Sequence, residues 1–276
     1  MPPSGTRLVD VPPTRLLPSC CLGGSWQMAI DHWMLEQGQP ALRLYRWQRP
    51  TLSVGWHQRS LPPHWLSLAG AGRIDLVRRP SGGQAVLHGG DLSYALVWPD
   101  PPRGRRQAYA QACRWLQAAF EQLGQPLHFG TAAATQASPD CFASSTAADL
   151  VHAHGAKRIG SAQLWRAGRL LQHGSIQLAP DRQLWRQLFG ATAPELPPLA
   201  ASAHALESLL LAAAAEHLPL PVAVSAPLRA AELAPLAQRL ASYRWLGGTV
   251  GGNTVGGNSP EASMPRTTWG SASPSG

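Results

Sequence analysis

The sequence predicts an α+β fold, a largely antiparallel or mixed sheet flanked by helices. A helical stretch opens its apolar part, short strand-like runs dominate its middle, and Ala/Leu-rich helical stretches close it. The regular strand–helix alternation that marks a doubly wound parallel sheet is absent.

The elements follow in order. Ser25 is placed to cap a helix through about Gln37, with Met28, Trp33 and Leu35 as apolar contacts and Gly38 as its stop. Strand-like runs at Leu42 to Trp47 and Thr51 to Trp56 are parted by Arg49-Pro50, and Ile74 to Arg78 leads into Pro80-Ser81-Gly82-Gly83. Leu92 to Trp98 is a further apolar run, ended by Pro99. Arg106 to Leu123 reads as an amphipathic helix with Tyr109, Cys113, Leu116 and Phe120 near one face and Gly124 at its end. Leu127 to Gly130, a loop around Cys141 and a short strand at Asp149 to His152 come next. A hairpin from Ile159 to Ile176 turns near Ala167-Gly168. Two helices, about Ala200 to His217 and Ala226 to Tyr243, close the globular part. Residues 247–276, with the echo GGTVGGNTVGGN, have almost nothing to bury and are expected to be a disordered tail.

With 276 residues, 44% of them hydrophobic, the chain can enclose one sizeable core. No apolar run approaches the roughly 18 to 20 residues that span a bilayer, and MPPSGTRLVDVPP has no secretory pattern, so a soluble, cytoplasmic protein without membrane contact is expected. Cys20, Cys21, Cys113 and Cys141 make no C-x-x-C pair, which argues for reduced thiols rather than a metal site or a disulfide framework. The excess of 23 basic over 15 acidic residues gives +8 and favours an acidic partner. The densest basic run, Arg103 to Arg106, lies in a Pro/Gly turn, so no nucleic-acid stripe is expected. Of the 23 basic residues only Lys157 is a lysine. Such a skew suggests a position where a compact amine able to lose its proton is needed, not a permanently charged fork.

The chain has no P-loop, no G-x-G-x-x-G, no G-x-S-x-G and no H-E-x-x-H. Its informative segment is Arg78-Arg79-Pro80-Ser81-Gly82-Gly83-Gln84-Ala85-Val86-Leu87-His88 followed by Asp91-Leu92-Ser93-Tyr94, where paired glycines let a ligand approach backbone N–H groups and Arg79 could hold an anion. This segment resembles the R-R-x-[ST]-G-G-[GR]-A-V-x-H signature of lipoate-protein ligases and related octanoyltransferases, of the biotin/lipoate protein ligase superfamily. Gly155-Ala156-Lys157-Arg158-Ile159-Gly160-Ser161-Ala162-Gln163, with His173-Gly174-Ser175 beyond it, resembles the family's G-x-K-x-x-G-S-A-Q and H-G-[ST] blocks. Tyr45-Arg46-Trp47 with Pro50-Thr51-Leu52-Ser53-Val54-Gly55, and Ala29-Ile30-Asp31, are similar to its strand pair and first helix. The resemblance covers about residues 26–178 and implies one catalytic domain over residues 1–246.

Within the family, ligases activate lipoate with ATP, whereas octanoyltransferases take octanoate from acyl carrier protein onto a cysteine. Ser138-Pro139-Asp140-Cys141-Phe142 is similar to the S-P-x-C-F of the cysteine-dependent branch. Thioester exchange is nearly isoenergetic, and a nearby ammonium lowers a thiol pKa, so Cys141 and Lys157 make a chemically sensible pair. The resemblance thus implies Cys141 and Lys157 as catalytic residues, and Arg79, Ser81, Gly82, Gly83, His88, Gly160, Ser161, Ala162 and His173 around the substrate. His88 and His173 are expected to orient the acyl carbonyl or the glycine loop, and Cys113 reads as a buried structural thiol. Gln84 and Gly89 depart from the family pattern. The implied donor is acyl carrier protein, and the acceptor a lipoyl domain of a 2-oxoacid dehydrogenase E2 or the glycine cleavage H protein. No metal or cofactor is expected, and ATP with Mg only for the alternative, an ATP-dependent lipoate ligase. Only two helices and a tail are expected after Leu178, too little for the accessory domain of that ligase branch. A catalytically silent lipoyl-domain or carrier-binding protein is the third reading.

Overall fold

The computed structural model describes residues 12–131, 149–221 and 223–245, so Cys141 and the stretch 247–276 lie outside the described residues. β1 (Thr14–Leu22), α1 (Gly24–Gln37) and β2 (Ala41–Trp47) form a parallel β–α–β unit, with Arg15 opposite Ala41 and Leu22 opposite Trp47. β2 pairs antiparallel with β6 (Asp91–Pro99), β6 with β10 (Arg169–Gln177), and β10 with β9 (Lys157–Arg166). β8 (Asp149–Val151) and β7 (His128–Phe129) extend that side, and β11 (Ala223–Ser225) adds parallel to β1. The order of this mixed, eight-stranded sheet is β11-β1-β2-β6-β10-β9-β8-β7. A second sheet of three strands places β3 (Thr51–Val54) between β4 (Asp75–Arg78) and β5 (Val86–His88). The remaining helices are α2 (Pro63–Gly70), α3 (Arg105–Gln122), α4 (Arg182–Phe189), α5 (Ala203–His217) and α6 (Ala230–Tyr243).

Side chains alternate across the large sheet with the period of two that a strand imposes. Leu42, Leu44, Leu92, Tyr94, Leu96, Leu170 and Ile176 enter one core, with Trp115, Leu116 and Phe120 of α3 and Leu206 and Leu210 of α5. Ala41, Tyr45, Trp47, Ala95, Val97 and Leu171 enter the other, with Met28, Ile30 and Trp33 of α1 and Leu236 and Leu240 of α6. Val77 of β4 joins that second core, which seats the small sheet beside α1. On its far side the small sheet packs Leu52, Val54 and Leu76 against Trp65 of α2 and Trp185 of α4. The α1-facing side of the large sheet also buries Arg43, Asp91, Ser93, His173 and Ser175. Buried polar groups need partners, and this cluster marks the site.

Two expectations need correction. α1 begins at Gly24 with Gly23 as N-cap and no side-chain cap, so Ser25 lies in the first turn. Among the described residues three helices rather than two follow Leu178: the Asp181 carboxylate accepts from the N–H groups of Gln183 and Leu184 and starts α4, while Leu184, Trp185 and Leu188 bury one face of it. The hairpin turns at Ala167-Gly168 as expected, and Gly38 ends α1.

Candidate active site

A pocket of about 460 Å³, counting its open mouth, lies between the two sheets. Met28, Tyr45, Trp47 and Val86 supply apolar wall, and Ser53, Arg79, His88, Ser93, His173 and Ser175 supply polar wall. Gly83, Gly160, Ser161, Ala162 and Gly174 complete it. Gly160 and Ala162 face the pocket because they pair with Ser175 and His173 across the hairpin.

Two carboxylate–histidine–serine chains run beside this pocket. In the first, Asp31 of α1 takes His173 Nδ1 on Oδ2 at 2.7 Å, Arg43 Nη2 on Oδ1 at 2.6 Å and the Tyr45 hydroxyl at 3.1 Å. Burial alone would raise the Asp31 pKa, but the Arg43 guanidinium and His173 outweigh it and hold the carboxyl below its usual range. An ionised carboxylate can only accept, so His173 carries a proton on Nδ1. Its Nε2 lies 2.5 Å from Ser81 Oγ, in hydrogen-bond contact with that hydroxyl. His173 therefore holds the glycine loop against β10.

In the second chain, Asp91 Oδ2 accepts from His88 Nδ1 at 2.8 Å and from the hydroxyls of Ser93 and Ser175 at 2.9 and 2.7 Å. Here too burial pushes the carboxyl up, and His88, the Gly89 N–H and Ser175 bring it below its usual range. His88 Nε2 faces Ser53 Oγ at 2.9 Å, and the Trp47 ring stacks on the imidazole at 4.0 Å between centroids.

Arg79 is spent on the loop itself. It donates to the carbonyls of Gly82, Gln84 and Ser53 at 2.8, 2.6 and 2.8 Å, and so braces the backbone that turns over the pocket. Gly83 takes φ +96°, and a Cβ there would come within 2.8 Å of Arg79 Nη2. At Gly174 a Cβ would meet the Gly160 carbonyl at 2.7 Å, so the hairpin has no room for a side chain beside the pocket.

Lys157 is 3% exposed and pairs with Asp149 Oδ1 at 2.9 Å. It lies three residues before Gly160 on β9 and is not itself on the pocket wall. Ser161 offers the pocket its backbone, since its hydroxyl meets the Tyr94 hydroxyl at 2.7 Å on the α3 side of the sheet. The structure thus brings Arg79, Gly83, His88, Gly160, Ser161, Ala162 and His173 together, with Ser81 tied to them through His173, and Gly82 next in the loop. Asp31, Arg43, Ser53 and Asp91 are site residues to which the sequence assigned no chemistry. The only signals for them were the spacing of His88 to Asp91 and the quoted blocks holding Asp31 and Ser53.

An α1-side pocket closed by a glycine loop and a histidine-bearing hairpin, on this mixed sheet, defines a protein of lipoate-ligase architecture. A T. acidophilum protein solved with bound lipoic acid superposes with a TM-score of 0.71 at 19% identity, over 83% of this chain and 95% of that one. Lipoate-protein ligase A bound with ATP gives 0.67 at 18%, over 83% and 94%. The chain belongs to the lipoyl protein ligase A/B catalytic domain family, whose profile matches residues 24–197. It is also similar to proteins named octanoyltransferase LipM. That of Carboxydothermus hydrogenoformans is 34% identical over 177 residues, 60% of this chain and 65% of the relative. That of Lysinibacillus sphaericus is 30% identical over 188 residues, 62% and 68%. The match thus spans 65% of the length of the first of these relatives.

Proposed function

We propose that the protein is an octanoyl carrier protein:protein N-octanoyltransferase of protein lipoylation, working in the cytoplasm without a cofactor. Residues 1–246 are its catalytic unit, and acyl carrier protein and a lipoyl domain are its donor and acceptor. The Cys141 thiolate attacks the carrier thioester and the carrier thiolate leaves, giving octanoyl-Cys141. The neutral amine of the acceptor lysine then attacks the same carbonyl, the amide forms, and its proton goes to the departing Cys141 sulfur.

The observation that carries this reading is the buried Lys157–Asp149 pair. A buried ammonium costs several kcal/mol unless paired, and it is kept here in a chain whose other basic residues are all arginine. We assign it the developing negative charge on the acyl oxygen. The resemblance of Ser138 to Phe142 to the cysteine-dependent branch, and the names of the relatives, support the thioester route. In single-turnover transfer, Lys157→Arg and Lys157→Ala, each checked for folding, are expected to lose on the order of a hundredfold in rate. An arginine variant that transfers at the wild-type rate would reduce the lysine to a local charge.

A further inference from the structure

Ser53, His88 and Asp91 have the geometry of a nucleophile, its base and the carboxylate that orients the base. We propose that they form a second acyl-handling centre, in which Ser53 cleaves activated medium-chain esters through an acyl-serine, independently of Cys141. The chain length named rests on the proposed octanoyl pocket; the nucleophile does not.

Asp91 is buried and accepts from the Gly89 N–H at 3.0 Å as well as from His88, Ser93 and Ser175, so it is held in one orientation as an acceptor. His88 therefore keeps its proton on Nδ1 and offers the Nε2 lone pair to Ser53 Oγ at 2.9 Å. Trp47, stacked on the ring, prevents it from swinging away. Arg79 Nη1 lies 3.4 Å from Ser53 Oγ, a fixed positive charge beside the attacking oxygen. Ser53 and His88 both stand on the pocket wall, whereas Ser81 of the other chain does not, and its Asp31 is committed to Arg43.

In the step itself the Ser53 oxygen bonds to the ester carbonyl carbon, its proton passes to His88 Nε2, and His88 hands that proton to the departing alkoxide or phenoxide, which leaves the imidazole neutral again. Water then attacks acyl-Ser53, gives a proton to His88, and releases the fatty acid as the serine recovers its proton.

The test uses full-length Cys141→Ala protein and p-nitrophenyl octanoate. The expected result is nitrophenolate release with one octanoyl group mapped by peptide mass to Ser53. Ser53→Ala should hydrolyse no faster than buffer, and His88→Asn at least a hundredfold more slowly than its parent. An adduct on another residue, no adduct at all, or full hydrolysis by a folded Ser53→Ala protein would overturn the proposal. Should Ser53→Ala not fold, the adduct map on its parent decides. Failure of the Cys141 reading would show separately, as carrier-to-lipoyl-domain transfer surviving in Cys141→Ala, without touching the Ser53 result.

Discussion

The Asp31 carboxylate lies 2.7 Å from Nδ1 of His173, 142 positions away, and so binds the first helix to the hairpin that walls the pocket. One carboxylate holds the Nδ1 proton of His173, neutralises buried Arg43 and, through Ser81, sets the position of the glycine loop. Asp31→Asn would leave Arg43 buried without its counter-charge. A loss of about 3–5 kcal/mol in stability is expected. Urea denaturation measures it, and a loss below about 1 kcal/mol would show that the pair is not the clamp.

Acid should undo the fold through its depressed carboxyls. Asp31 and Asp91 sit below their unfolded pKa, and Glu232, bonded by Arg15 although partly desolvated and bonded also by Arg229, falls from 4.5 to about 2. A depressed folded pKa contributes stability above the unfolded value and loses it as pH falls through the folded one. These carboxyls should make stability decline from about pH 5 toward pH 2, adding to the loss that His152, pushed down to about 4 by burial, brings between about pH 6.5 and 4. Glu232→Gln should lose on the order of 1–2 kcal/mol less from about pH 5 to 2 than the parent. Equal slopes for variant and parent would contradict the assignment.

Cys113 is buried on α3, and burial pushes its thiol up to about 12 despite a hydrogen bond from Gln172. Iodoacetamide at pH 8 should alkylate exposed Cys21 and spare Cys113 in native protein, then reach Cys113 in urea. Peptide mapping of the modified protein reads this directly, and native labelling of Cys113 would contradict its burial.

The fold class, α1, the α3 helix and the β9–β10 hairpin were legible because their periodicity survives in the chain itself. β1 was not. Pro18 and adjacent Cys20-Cys21 look like a break, but the strand absorbs the proline where its register with β2 shifts between Leu17 and Cys20. α2 hid behind Pro62-Pro63, a pair that reads as a turn although proline is at home in a helix's first turn. The site was half legible. Its glycine loop, Lys157 and both histidines stood out as motif residues, whereas Asp31 is one acid in an apolar helix until folding sets Arg43 and His173 against it.

The measurement that bears most directly on the proposed function is the intact mass of the protein after mixing with octanoyl carrier protein in the absence of ATP. The expected product is a single octanoyl adduct on Cys141, absent from Cys141→Ala and discharged by adding a lipoyl domain. An unmodified protein that transfers acyl groups only when lipoate and ATP are supplied would contradict the thioester route and assign the chain to the ATP-dependent ligase reaction.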